Sequence, residues 1–363
     1  MSEQEILDAR YDRAMKLYAS GGQVPALPSP YDGHCKTIID RQESNRGVLA
    51  VLITLLARKM RTPEQDIRQH QAQLPGGFSG RGLDERVVTP FLREKRFPHM
   101  QGGTGWLTRS LEQANPYDLN YPGNITPARA KEAFLCLIDG VQNHGLSVEN
   151  LLLGLFIGLI RFRDRNTNLV LSRPVNLSVA HVVDRVSRHH SVQTTGAARL
   201  PVLGVHAILS VLAREAKRYH NCTILPLEHH NTADARTDLI GDVHIVDANN
   251  TLFEGYEVKH NVPITSALIQ TSIEKLRTTP VQRFYILTTY PHNDYADFEP
   301  DIQRVAQEHG CELIVNGIDR TLLYYLRLIA NTRDFVDAYV TNLESDPSIT
   351  FQLKEAWNEI VAT

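Results

Sequence analysis

"GDVHIVDANNTLFEGYEVKH", Gly241 to His260, decides how this chain folds. "DVHIV" and "LFEGYEVK" alternate in the manner of strands. "DANN" (Asp247 to Asn250) supplies the turn between them, because Asp and Asn side chains bond their own backbone and tolerate left-handed φ. The pattern predicts a hairpin. Side chains at i and i+2 on a strand share a face, so Glu257 and Lys259 lie side by side, roughly 7 Å apart along the strand. The turn folds the first strand back and brings Asp242, fifteen residues upstream of Glu257, close to the same edge.

The elements around the hairpin extend the pattern. "PVLGVHAILSVLAREAKRYH" reads as a helix opened by Pro201, and "CTILPL" as a strand. Downstream come an amphipathic helix, "ITSALIQTSIEKLR", and a buried strand, "RFYILTT". A helix, "DIQRVAQEHG", ends on Gly310 and leads into the strand "CELIV". Three strands, then helices alternating with strands, predict a mixed central sheet flanked by helices, an α/β (α+β) class. The remainder to Thr363 reads as three polar helices.

The first two hundred residues read as mainly helical. "NRGVLAVLITLLARKM" (Asn45 to Met60) has an apolar face and a basic end. "TPARAKEAFLCLIDGVQNHG" offers Thr126 as N-cap, Pro127 at the first helical position and Gly145 as a stop. "SVENLLLGLFIGLIRFRDR" and "NLSVAHVVDRVSRHH" make two more helices. A boundary is expected near "SVQTTGAARLPV". The predicted organisation is 1–195, helical and DNA-recognising; 196–317, the sheet core; and 318–363, helices packed on that core.

With 42% hydrophobic and 22% charged residues, the chain has the composition of a globular protein. Its start is charged and lacks the apolar segment of a signal peptide. The run Leu151 to Ile160 is too short to span a bilayer. The four cysteines form no C-x-x-C pair, which argues against a zinc site or disulfide framework. A cytoplasmic protein with no membrane partner is expected. The net charge of −3 hides an asymmetry. Arg161 to His220 carries ten Lys or Arg against three acids, whereas Pro291 to Thr363 carries thirteen acids against five bases. A basic middle can engage a polyanion without the whole protein being basic.

The hairpin also carries chemistry. Two carboxylates, Asp242 and Glu257, plus the backbone carbonyl of Val258 can hold a hard cation such as Mg²⁺. The Lys259 ammonium beside it can orient a water for attack on phosphorus. The competing reading is a cross-strand ion pair, and burial should decide between them. The chain's second E-x-K, Glu215 to Lys217, falls in a helical pattern, where i and i+2 do not share a face. The adjacent pairs His189/His190 and His229/His230 do not read as zinc sites, since neighbours cannot readily share one ion.

"TADARTDLIGDVHIVDANNTLFEGYEVKH" resembles the active-site segment of PD-(D/E)xK nucleases, in particular type II restriction endonucleases. The likeness spans roughly residues 195 to 317. It implies a restriction-endonuclease-like core and Mg²⁺-dependent cleavage of double-stranded DNA to a 5′-phosphate and a 3′-hydroxyl. In it Asp242 and Glu257 bind metal and Lys259 serves catalysis. Gly241 departs from the proline of the name-giving motif. The family often adds an acid on the preceding helix, here Glu215. A homodimer and a cognate DNA methyltransferase are further expectations from the likeness.

DNA contacts are expected from "PGGFSGRGLDERVVTPFLREKRFPHMQGGTGWLTRS", where Arg81, Arg86 and Arg109 sit on glycine-rich loops near Trp106. The alternative is a set of surface turns around one buried Trp. His260 and Lys275 are candidates for phosphate contact.

Overall fold

The computed structural model describes every residue except 23–25, 228–239, 278, 280 and 292–295, with the side chains of 273 and 275 also left out. His229, His230, the 231–239 part of the nuclease-like segment and the side chain of Lys275 therefore lie outside the described residues. The chain divides into two compact units, Met1–Leu169 and Val170–Thr363.

The first unit is helical: α1 (Glu3–Ala19), α2 (Tyr31–Asp40), α3 (Arg46–Arg61), a single turn α4 (Gly80–Leu83), α5 (Thr89–Glu94), α6 (Ala128–Asn143) and α7 (Val148–Asn168). Residues 47–57 of α3 are buried on every side, so this helix is the unit's axis, with α1, α6 and α7 packed around it. Its basic end reaches Glu3 of α1, where Arg61 lies 2.5 Å and Arg58 3.4 Å from the carboxylate. α6 begins one residue later than its sequence suggests. Pro127 takes the cap position with no side-chain bond, and Thr126 gives its carbonyl to Asn45 Nδ2 at 2.8 Å.

A π-helical turn, Asp84–Val88, links α4 to α5. Asp84 is fully buried and accepts from Thr89 Oγ1 (2.8 Å), Thr104 Oγ1 (2.8 Å) and Gly105 N (2.6 Å). Burial raises its carboxyl pKa against the pull of those bonds. One acid thus ties the glycine-rich loop to the helical turn.

The second unit opens with α8 (Val179–His190) and α9 (Leu200–Glu215). The expected boundary near residue 195 falls inside this unit, because α8 packs on the C-terminal helices and 191–196 is a helix-to-helix turn. Among the described residues five strands follow: β1 (Thr223–Ile224), β2 (Val243–Val246), β3 (Leu252–Lys259), β4 (Arg283–Thr288) and β5 (Glu312–Gly317). They lie in chain order, with β1, β2 and β3 antiparallel and β3, β4 and β5 parallel. The parallel pairs need crossovers. These are α10 (Ser266–Leu276) and α11 (Glu299–His309). The fold is α+β with a mixed sheet, as the sequence predicts.

Side-chain alternation assigns the two faces. Phe284, Ile286, Leu313 and Val315 pack with Ile269 and Leu276 of α10 and Val305 of α11. The opposite face carries Tyr256 stacked on Tyr285 at 4.2 Å. The last helices are α12 (Ile318–Leu326), α13 (Thr332–Ser345) and α14 (Phe351–Val361). They are less polar than they read, burying Tyr339 and Trp357 in edge contact at 5.3 Å.

The direction of α9 matters for function. Tyr219, just past its end, donates to Glu254 at 3.0 Å near the start of β3, and Thr223 pairs with Val246 at the end of β2. The C-terminus of α9 therefore lies at the β3 start. Sixteen residues, about 24 Å of helix, carry its N-terminus toward the opposite end, where β3 finishes. With the 3₁₀ turn before it, α9 makes Ala197–Glu215 the one helical segment among the described residues long and apolar enough to cross a membrane, and most of it is buried.

Candidate active site

The β2–β3 hairpin forms as its turn residues dictate. Asp247 Oδ1 accepts from the amides of Asn249 (2.8 Å) and Thr251 (2.9 Å), and Asn250 takes a φ of +59°. Register pairs Val243 with Tyr256, which sets Asp242 opposite Glu257.

At the head of β2 the ladder gives way to a side chain. The Asp242 amide donates to Tyr256 O at 2.6 Å, and Val258 N donates to Asp242 Oδ2 at 2.8 Å. The Asp242 carboxylate thus stands in the sheet plane where a neighbouring carbonyl would be. Successive carbonyls along a strand point to opposite edges. Tyr256 O faces β2, and Lys259 O accepts from Thr289 N on the β4 side, so Val258 O faces the edge of Asp242. Glu257, in register with Ile286, is buried and paired with the partly exposed Lys259 ammonium through Oε1.

The electrostatics of Asp242 are set first by burial. Burial raises the Asp242 pKa most, and the nearby Glu257 charge adds to it. The Val258 amide, Lys259 and Arg199 pull it back without cancelling the rise. The acceptors that the β2–β3 register brings side by side are oxygens: two carboxylates and one carbonyl. That set suits Mg²⁺, which binds through one or two carboxylates and keeps several waters. Among the described residues no group of three His, Cys, Asp or Glu comes together. His189 is occupied by Tyr339 OH and Leu353 O, both at 2.9 Å.

Gly241 has φ of +96°, and a Cβ there would stand 2.6 Å from Tyr256 O. Only glycine fits this close approach. Gly241→Ala is expected to lower stability by roughly 1–3 kcal/mol. Urea unfolding checks this; a wild-type midpoint would show that the contact relaxes at no cost.

Glu215 does not join the site. It is exposed at the far end of α9, and its Oε2 accepts from Ala330 N at 2.7 Å. Glu215 lies at the end of α9 away from Asp242. At the other end stands Arg199, which the motif reading missed. A cation at a helix N-terminus opposes the helix dipole, and "AARLP" carries that signal. His260 follows β3 and is half-buried, and burial lowers its pKa toward the neutral form, a poor partner for phosphate. Lys275 lies on α10, its side chain beyond description.

The remaining candidates belong to the first unit. Arg81, Arg86 and Arg109 are exposed. Arg81 pairs with Glu85 (3.0 Å) and Glu112 (3.2 Å). Trp106 is buried and donates to His70 Nδ1 at 3.0 Å, so it offers no stacking surface. Arg81 and Arg86 stand on α4 and the π-helical turn rather than on loops, and Arg109 on a turn after Trp106.

No family model matches the chain, and no curated protein matches it.

Proposed function

We propose that this protein is a Mg²⁺-dependent endonuclease that hydrolyses double-stranded DNA at a specific site, in the manner of type II restriction enzymes. One observation carries the reading: the β2–β3 register sets Asp242 opposite Glu257, Asp242 takes the Val258 amide, and Glu257 pairs with Lys259. An ion-pair cluster built for stability needs no second acid set opposite the first. The mixed sheet between helices fits a restriction-endonuclease-like core.

Asp242 and Glu257, with the Val258 carbonyl, would hold the cation. Bound Mg²⁺ supplies charge neutralisation at the phosphate and acidifies water. Lys259, now paired with Glu257, is placed to orient the attacking water. The Val258 amide fixes one Asp242 oxygen and so aims the other. In the first unit, Arg81, Arg86 and Arg109 are the proposed DNA contacts. The ion pairs of Arg81 are exposed and cheap to exchange for phosphate or a guanine edge. Cutting both strands of a symmetric site would most simply use a two-fold homodimer. A methyltransferase protecting the same site would be its functional partner.

Digestion of several plasmids with and without Mg²⁺ tests the reading. Discrete bands that require the metal are expected. An inert protein with both Mg²⁺ and Mn²⁺ would sink it, and preference for forks, flaps or ends would reassign it to structure-specific cleavage.

A further inference from the structure

We infer that a cavity in the first unit, walled by Lys95, Arg96 and Arg163, binds a phosphate group of the DNA backbone. The inference adds a new contact to the nuclease reading and rests on it for the duplex.

The cavity holds about 400 Å³ and lies between the ends of α5 and α7, with Tyr11 of α1 on its wall. Cations at helix C-termini complement the helix dipole, so their presence alone points to no ligand. The backbone at Arg96 is another matter. α5 closes with two paired bonds, Phe97 N to Leu92 O (2.8 Å) and Arg96 N to Arg93 O (3.1 Å), and Arg96 is left-handed at φ +58°. Glycine is the usual occupant of that cap position. The other four non-glycine residues at positive φ, among those described, are all asparagines, whose short polar side chain tolerates it. An arginine there holds strain that glycine would release, and such outliers cluster at ligand sites. Its exposed guanidinium takes no partner among the described residues.

The other two cations are fixed in place. Arg163 donates from Nη1 to Tyr11 OH (2.9 Å) and to Lys95 O (3.2 Å), and its guanidinium lies over the Phe97 ring at 5.6 Å. The Lys95 ammonium lies over the Tyr11 ring at 5.0 Å and 3.2 Å from Asp8. Two acids share the wall, Glu94 and Asp164. The Glu94 side chain is 65% exposed, so its pairing with Lys95 is readily exchanged for a phosphate oxygen. A site for a small molecule is lined mostly by apolar groups. This wall is charged and its rim is exposed at Glu94 and Arg96, which suits one phosphate of a long chain whose remainder stays outside. Arg161 and Arg165, exposed on the last turns of α7, extend the positive charge.

Arg96→Gly separates charge from fold, because glycine relieves the backbone as it removes the cation. Fluorescence anisotropy of labelled duplexes of unrelated sequence, in Ca²⁺ and across a salt series, reads the binding, with thermal unfolding alongside. The variant is expected to melt no lower than wild type and to bind several-fold more weakly. The slope of log affinity against log salt should become shallower by about 0.9, the share of one phosphate. Arg96→Lys, which keeps the charge, should stay near wild type. Wild-type affinity and slope in Arg96→Gly overturn the inference and leave the nuclease reading standing, as does an Arg96→Lys variant as weak as Arg96→Gly. A lower melting temperature in Arg96→Gly would show that arginine is there for the fold, and would overturn it too. Inorganic pyrophosphate is titrated into wild type and Arg96→Gly by calorimetry. Its loss in the variant with duplex binding intact would give the cavity to a free phosphate compound and overturn the DNA assignment. No duplex binding by the wild-type protein would remove both readings.

Discussion

Lys259→Ala is expected to leave a folded protein that binds DNA and cuts it about 10²–10⁴-fold more slowly than wild type at saturating Mg²⁺. The fold should survive because Lys259 is partly exposed, although the buried Glu257 loses this ammonium at a cost of roughly 1–3 kcal/mol. β3 is secured by ladders to β2 and β4 that do not involve the ammonium. Only the water-positioning role is then at stake. Initial rates of plasmid cleavage, with a binding assay in Ca²⁺ as control, give the answer. Normal cutting by this variant would end the assigned mechanism even if the protein proved to be a nuclease.

The second large effect falls on stability. Glu254→Ala is expected to destabilise the sheet unit by roughly 3–5 kcal/mol. Glu254 is fully buried on β3 and accepts from Tyr256 OH at 2.7 Å and Tyr219 OH at 3.0 Å. Arg218 pairs with it directly, and Arg283 lies 3.7 Å away. Alanine would leave two enclosed phenols without their acceptor and open a void. Both arginines reach solvent and can turn outward, so most of the cost comes from the tyrosines. Urea denaturation followed by tyrosine fluorescence measures the loss; a change below about 1 kcal/mol would mean that water takes over the carboxylate's bonds.

Much of this architecture can be read from local chemistry. The Asp247 turn, the strands on either side and the glycine that ends α11 are decided within a few residues, and they stand where the pattern puts them. The acid pair is legible for the same reason, since a hairpin joins its two members. What could not be read is set across space. Whether the Glu215 end or the Arg199 end of α9 lies toward Asp242 depends on which way α9 runs along the sheet, and helical periodicity is blind to direction. Trp106 looks available for stacking until its bond to His70 is known. The division between units falls in "TNLVLSR", which has no linker composition, whereas the Ser- and Thr-rich stretch after α8 is only a turn.

Gly241 also bears on how this motif can change over generations. Proline locks φ near −65°, whereas this backbone passes through residue 241 at +96°. The two letters are thus not interchangeable spellings of one corner. A proline at 241 would have to reroute the peptide leading into β2 and re-aim Asp242 in the same event.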